Sequence, residues 1–287
     1  PQEARTTSVG CRVTVVGATS GDTGSAAIDA FRGNAAVDVF ILYPQGRVSE
    51  VQRRQMTTPA EENVHAVAVE GDFDDCQALV KAMFNDFEFR DAVGLAAVNS
   101  INWARVLAQT VYYFTSAAAL GAPYRAVSYA VPTGNFGDVY AGWVARRMGL
   151  PVEKLVVATN ANDILHRTIQ GGDHMRAEVR PTTSPSMDIQ VSSNFERLLF
   201  DLEGRDGDAT AELMRRLKEE GGFRLSNSQL AALRANFDSA AATDEDAADV
   251  MAAMRDVTGQ LLDPHTACGV KAATEARGNP ATPMVTL

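Results

Sequence analysis

Three polar segments of the sequence stand where an apolar run gives way to a helical pattern. TSGDTG (19–24) follows VTVVGA, NSINWAR (99–105) follows VGLAAV, and GNFGD (134–138) follows RAVSYAVPT. Glycine lets backbone N–H groups turn toward one point with no Cβ in the way. The helix that follows adds unpaired N–H groups and the positive end of its dipole. GNFGD therefore offers five backbone units that would hold a phosphate with no cationic side chain. In TSGDTG the hydroxyls of Thr19, Ser20 and Thr23 join the glycines, which suits a carboxylate or a phosphate. In NSINWAR the polar groups are Asn99, Ser100 and Asn102, with Arg105 as a fixed cation whose planar fork matches phosphate. Each segment also has a plainer reading as a helix cap: Ser20 or Asp22 in the first, Asn102 in the second, Asn135 or Asp138 in the third. All three follow strands, and open parallel sheets bind ligands at the carboxyl ends of their strands, which favours the binding reading.

The elements that must position these segments alternate in type. CRVTVVGA (11–18), VDVFILYP (37–44), AVGLAAVNS (92–100), RAVSYAVPTG (125–134) and KLVVATNAN (154–162) read as strands, and ENVHAVAVEG (62–71) alternates as a half-buried strand does. SAAIDAFRG (25–33), DDCQALVKAMFND (74–86), WARVLAQTVYYFTSAAALG (103–121) and GDVYAGWVARRMG (137–149) read as helices. Gly33, Gly121 and Gly149 stand where helix ends take a left-handed residue. The predicted fold class is α/β, with open, mostly parallel sheets flanked by helices. After Ser192 the pattern turns helical and acidic, including the whole of 227–260, and 243–249 reads as a solvated helix face. A chain of 287 residues suggests two domains, divided here as 1–115 and 116–287.

Composition narrows the function classes. A hydrophobic share of 46% with no bilayer-length apolar run predicts a globular chain with no membrane span. A net charge of −10 speaks against a nucleic-acid groove or an anionic membrane as partner. Cys11, Cys76 and Cys268 are far apart and form no Cys-x-x-Cys pair, which fits a reducing, cytoplasmic setting. His65, His166, His174 and His265 are scattered, so no metal site is expected. Gly17, Gly21 and Gly24 have the spacing G-x-x-x-G-x-x-G rather than G-x-G-x-x-G, and no acidic residue closes VDVFILYP to hold a ribose. No tyrosine has a lysine four residues on, and Gly-Lys-Ser/Thr is absent, so nucleotide binding is set aside.

With their flanks, the three segments resemble threonine synthase in the long form found in fungi and many bacteria. The resemblance is carried by VTVVGATSGDTGSAA, VFILYPQGRVSEVQRRQMTT, VGLAAVNSINWARVLAQTVYYF, VPTGNFGDVYAGWVARRMGLPVEKLVVATNANDIL, SPSMDIQVSSNFERLLF and LDPHTACGV, in family order, and leaves out roughly 203–258. It implies a pyridoxal 5′-phosphate enzyme of fold type II, similar to the tryptophan synthase β subunit. The implied reaction turns O-phospho-L-homoserine and water into L-threonine and phosphate, the last step of threonine biosynthesis, by a carbon–oxygen lyase acting on phosphates. It assigns Gly134, Asn135, Phe136, Gly137 and Asp138 to the cofactor's phosphate. Thr19, Ser20 and Thr23 then face the substrate, with Asp22 toward the cofactor ring, where some relatives carry asparagine. Asn99, Ser100 and Arg105 take the substrate's phosphate. Two alternatives share these loops: a threonine synthase-like phospho-lyase that yields a 2-keto acid, and a non-catalytic product that binds the cofactor weakly or a protein partner.

The family also needs a lysine to hold its cofactor covalently. Lys81, Lys154, Lys218 and Lys271 are the four available, and all read as ordinary helix or surface lysines, with Lys154 ahead of a strand. None has the family's Phe-Lys-Asp surroundings, which the resemblance puts upstream of TSGDTG; the family's Thr-Ala-His-Pro segment would follow the strand that reads PMVTL here. The resulting expectation is an internal segment of a longer enzyme, without activity on its own.

Overall fold

The computed structural model describes residues 12–19, 21–99 and 102–287. They form two compact units, one up to Asn99 and one from Asn102. The first is built on a four-stranded parallel sheet of β1 (Val13–Ala18), β2 (Val37–Pro44), β3 (Val64–Val69) and β4 (Leu95–Ala97), in the order β3-β2-β1-β4. Helices α1 (Asp22–Phe31), α2 (Glu50–Thr57), α3 (Phe73–Asn85) and α4 (Phe87–Ala92) connect the strands. The continuous apolar runs of β1 and β2 are explained by burial on both faces. Val15, Val39 and Ile41 pack with Ile28 of α1 and Met56 of α2, while Val16 and Leu42 pack with Cys76 of α3.

The second unit opens with α5 (Trp103–Ala119), then β5 (Val127–Pro132), α6 (Gly137–Arg147), β6 (Val152–Thr159), α7 (Ile164–Gly171) and β7 (Asp173–Met175). It continues through α8 (Phe195–Leu202), α9 (Gly207–Glu219), β8 (Gly222–Arg224), α10 (Asn227–Arg234), β9 (Phe237–Ala241), α11 (Asp244–Thr258), α12 (Pro264–Glu275) and β10 (Met284–Thr286). Its main sheet is parallel in the order β10-β5-β6-β9, and β7 pairs with β8 in a small antiparallel ladder. The core runs through Val127, Tyr129, Val131, Leu155 and Val157 of the central strands, with Phe136, Phe195 and Phe237 packed against them. Among the described residues no helix is long and apolar enough to cross a membrane.

The strands and helices expected before residue 160 are present, with ends shifted by up to three residues. The differences are local. The expected division at 115 falls inside α5, whose Val106, Tyr113 and Ala117 belong to the core of the second unit, so the whole helix goes with that unit. The segment 227–260 is not helical throughout, because FDSAA forms β9 beside β6. Its alanines favour a helix, but Phe237 and Ala240 gain more by completing the buried sheet edge. Lys154 lies within β6 rather than ahead of a strand, and its ammonium donates to the Arg234 carbonyl at 2.9 Å. The short helices α2, α4 and α7 have no counterpart among the expected helices. The acidic start of α11 is more than a solvated face: Asp246 closes a capping box with Thr243 and pairs with Lys271, and Asp244 accepts from both the amide and the hydroxyl of Thr183.

His174 on β7 is stacked between Phe195 and Phe223, with ring centroids 5.0 and 4.7 Å away. Burial, helped by the Arg167 charge, lowers its pKa from 6.5 to about 4. The unfolded chain therefore takes a proton that the folded chain refuses, and stability falls as pH drops from about 6.5 to about 4, by up to about 3 kcal/mol. His174→Phe should flatten that limb in urea-unfolding curves recorded at stepped pH. An unchanged slope in the variant would assign the acid sensitivity to other groups.

Candidate active site

In the first unit, β1 ends at Ala18 and the chain turns into α1 through TSGDTG. Thr19 is buried, and its hydroxyl oxygen accepts from the amides of Gly21 and Gly24, each at 2.9 Å. The loop thus caps its own helix through a threonine rather than through Asp22. Gly24 is required by close packing: a Cβ there would lie 2.5 Å from Thr19 Cγ2 and 2.7 Å from Ile41 Cγ2. The Asp22 carboxylate accepts from Gln52 Nε2 at 2.5 Å, and Gln52 is itself held near Ser49, the N-cap of α2. Gln52 was not among the residues the sequence pointed to. The signal for it was present in the GRVSEVQRRQ segment, where Ser49 and Gln52 have cap spacing. Thr23 lies in the first turn of α1, and Ser20 falls outside the described residues.

NSINWAR divides between the units. Asn99 is exposed beyond β4, and Ser100 lies outside the described residues. Asn102 caps α5 by accepting from the Ala104 amide at 2.9 Å, as the plainer reading held. Arg105, half-buried in the first turn of α5, acts electrostatically on Asp138.

In the second unit, GNFGD forms a cup between β5 and α6. Phe136 is the residue that makes it: φ is 62°, in the left-handed region, where a side chain costs about 1–2 kcal/mol. Its ring is 1% exposed and packs edge-on to Phe195 at 5.2 Å, and that burial offsets the cost. Neither Asn135 nor Asp138 caps α6; the N-cap is Phe136, with no side-chain hydrogen bond to the first turn.

The loop's carbonyls are drawn off by a strap just ahead of α8. Ser192 Oγ donates to the Gly134 carbonyl at 2.8 Å. The Asn194 amide and Nδ2 both donate to the Asn135 carbonyl at 3.0 Å, and Ser193 Oγ donates to Asn135 Oδ1 at 3.0 Å. Carbonyl oxygens are thereby committed to the strap while the amides of the first turn of α6 are left uncapped. This is the donor set that an oxyanion needs.

A second wall stands behind Gly134, where an added Cβ would lie 2.6 Å from the Ser186 carbonyl. The segment bearing Ser186 is fixed by Asp188. That carboxylate accepts from Asn160 Nδ2 at 2.7 Å, Asn162 Nδ2 at 2.9 Å, the Thr182 amide at 2.9 Å and Thr182 Oγ1 at 2.7 Å. The Ser186 amide donates to His265 Nε2 at 3.3 Å, on α12. None of this cage was singled out residue by residue from the sequence. Its trace is a run of hydroxyl and amide residues, 182–194, with no helical or strand period.

Asp138, the last residue of the cup, is in an uncommon state. Its Oδ1 is shut away from solvent and has no hydrogen-bond partner among the described residues. Burial raises the carboxyl pKa from 3.8 to about 6, against the opposing pull of a Tyr113 hydrogen bond and the Arg105 charge. Burial also pushes the Tyr113 hydroxyl well above its ordinary range, so it stays protonated, donating to the Asp138 carbonyl at 2.8 Å.

The lysines are elsewhere employed or exposed. Lys271 pairs with Asp246 and Glu275 and lines a cavity of about 340 Å³ with His166, Asp238 and Ser239. Lys81 on α3 and Lys218 on α9 are exposed.

A backbone cup at the carboxyl end of a parallel sheet, braced by a buried polar cage, offers the kind of donors that a phosphate group takes. The family model for pyridoxal-phosphate-dependent enzymes matches residues 3–236, and the chain belongs to that family. The fold is its fold type II. Within the family, the sequence is 56% identical over 278 residues to the threonine synthase of Pseudomonas aeruginosa, covering 97% of this chain and 59% of that one. The crystal structure of PLP-bound threonine synthase from Brucella melitensis superposes with a TM-score of 0.89 at 58% identity, over 97% of this chain and 60% of that one. Threonine synthase-like 2 of Mus musculus is 42% identical over 264 residues, covering 90% of this chain and 54% of that one. The chain thus spans about three fifths of the length of the first two.

The geometry carries two expectations. Gly134→Ala drives a methyl group into the Ser186 carbonyl, so it should cost about 1–3 kcal/mol in urea unfolding. It should also weaken pyridoxal phosphate binding, read by fluorescence titration, by roughly tenfold or more; full retention of binding would remove the wall from the site. For Asp138, the raised pKa means that the folded chain holds a proton the unfolded chain has lost, so stability falls as pH rises from about 3.8 to about 6. Asp138→Asn should gain on the wild type across that window, by up to about 3 kcal/mol, and hold the difference above it. A difference that does not change with pH would contradict this state of the carboxyl.

Proposed function

We propose that the protein acts in threonine synthesis, converting O-phospho-L-homoserine and water into L-threonine and phosphate. The observation that carries this reading is the uncapped cup of Gly134–Asp138, walled by Ser186 and strapped by Ser192 to Asn194. The cup's amides hold the phosphate of pyridoxal phosphate. When bound, that group supplies an electron sink for carbanion chemistry at the substrate's carbons. The chain's own residues bind and orient. Thr19, Ser20 and Thr23 mark the loop that receives the substrate carboxylate, and Asp22, which accepts from Gln52, is assigned to the cofactor ring. Asn99, Ser100 and Arg105 hold the substrate's phosphate, and the Arg105 guanidinium stabilises the charge that grows on it as it leaves.

Identity of 56% to a threonine synthase against 42% to a threonine synthase-like 2 favours threonine over a 2-keto acid as the product. Free, buried Cys76 and Cys268 fit a cytoplasmic setting. The surroundings of Lys81, Lys154, Lys218 and Lys271 suit none of them to hold the cofactor covalently. Residues 1–287 alone are therefore inactive.

The test replaces the matching segment of the Pseudomonas aeruginosa threonine synthase with residues 1–287. The chimera should release phosphate and form threonine from O-phospho-L-homoserine. Arg105→Ala in the chimera should cut turnover by about 100-fold or more. A 2-keto acid product would replace the reading with the lyase alternative. The 287-residue chain by itself should show no turnover, and borohydride should fix no cofactor on its lysines. A reduced adduct on any of the four would overturn the assignment of inactivity.

A further inference from the structure

The cup is lined by backbone donors, yet its last residue is an acid. Asparagine would give the same loop without a charge, so the carboxyl asks for a role. Asp138 is the second residue of α6 and belongs to the turn whose amides are uncapped. One of its oxygens is sealed from solvent without a partner among the described residues. An ionised carboxylate so placed is costly, and a doubly charged anion in the same loop adds like-charge repulsion. The neutral acid avoids both.

We propose that Asp138 makes anion capture by the cup proton-coupled: a doubly charged oxyanion is taken up together with one proton, which Asp138 holds while the anion stays bound. The inference rests on the reading of the cup as a phosphate seat and adds the charge state in which that seat works.

The groups facing Asp138 support it. From α5, Tyr113 stays protonated and supplies no charge, and Arg105 opposes protonation. The strap residues Ser192 and Ser193 and Asn194 are neutral, with Arg197 held on Asn194 Oδ1 at 3.1 Å. Behind the opposite wall, His265 accepts from the Ser186 amide, and the Asp188 carboxylate is engaged by Asn160, Asn162 and Thr182. Burial, opposed by Tyr113 and Arg105, leaves the Asp138 carboxyl poised near pH 6. A bound dianion pushes it upward, so a cup that is largely ionised at neutral pH must gain a proton on binding.

The test is calorimetric titration of the 287-residue chain with sulfate, an anion whose own charge does not change in this range. Runs in two buffers of different ionisation heat, between about pH 5 and pH 8, count the protons taken up. The expected result is uptake approaching one proton at pH 7 and above, fading toward pH 5. Sulfate affinity should fall by about tenfold per pH unit above pH 6. Asp138→Asn should abolish the uptake and level the pH profile, and His265→Gln should leave both as in the wild type. Binding without proton uptake in the wild type overturns the proposal without any variant. So does uptake that survives Asp138→Asn and disappears in His265→Gln. If the chain binds neither sulfate nor pyridoxal phosphate, the reading of the cup fails, and this inference fails with it.

Discussion

The site in the second unit depends on one unfavourable torsion held in place by one favourable burial. Phe136 is left-handed, and only the packing of its ring among Phe195 and Phe237 keeps it so. That torsion swings the chain out of β5 and into α6 within a few residues. The amides of the first helical turn are left without a side-chain cap while the carbonyls of Gly134 and Asn135 turn to the strap. A glycine at 136 would adopt the torsion more easily but would lose the anchor. The phenylalanine ties the local shape of an anion seat to the global core, so the seat is as rigid as the core is.

The strap and the wall extend that dependence outward. Asn194 is fully buried and spends both its amide and its side chain on one carbonyl, and the helix it opens supplies Phe195 to the Phe136 ring. Asp188 does comparable work for the wall, where four donors converge on its carboxylate. Such a network is stable only when complete, since each buried polar group that loses its partner carries its full desolvation cost. The two supports start from strand ends of the same sheet, Asn135 beyond β5 and Asn160 beyond β6.

Much of this was legible in the sequence, for reasons that particular residues make plain. Parallel strands buried on both faces must be apolar throughout, so VTVVGA, VDVFILYP and KLVVAT announced themselves. The cup was legible because GNFGD sits between such a strand and a segment that reads as a helix. FDSAA was not legible, because alanine is a helix former until a neighbouring strand decides otherwise, and β6 lies about eighty residues earlier in the chain. Nor was the cage around Asp188, whose members lie on separate segments with no period to link them. Gln52 stayed hidden for the same reason, thirty residues from the Asp22 that it supports.

The two glycine loops show why the motif alone was never sufficient. TSGDTG and GNFGD share composition, position after a strand and a following helix, and either would pass as an anion seat on paper. In TSGDTG the threonine that opens the loop turns inward and takes two of the loop's amides for itself, and Asp22 is tied to Gln52. That loop therefore has two amides fewer to turn toward an anion. In GNFGD the cap side chain does not reach the amides, because the residue at the cap position is a phenylalanine whose ring is committed to the core. The difference between a capped and an uncapped helix start thus comes down to whether the residue that could cap the helix is free to do so, and that is decided by the packing behind each loop.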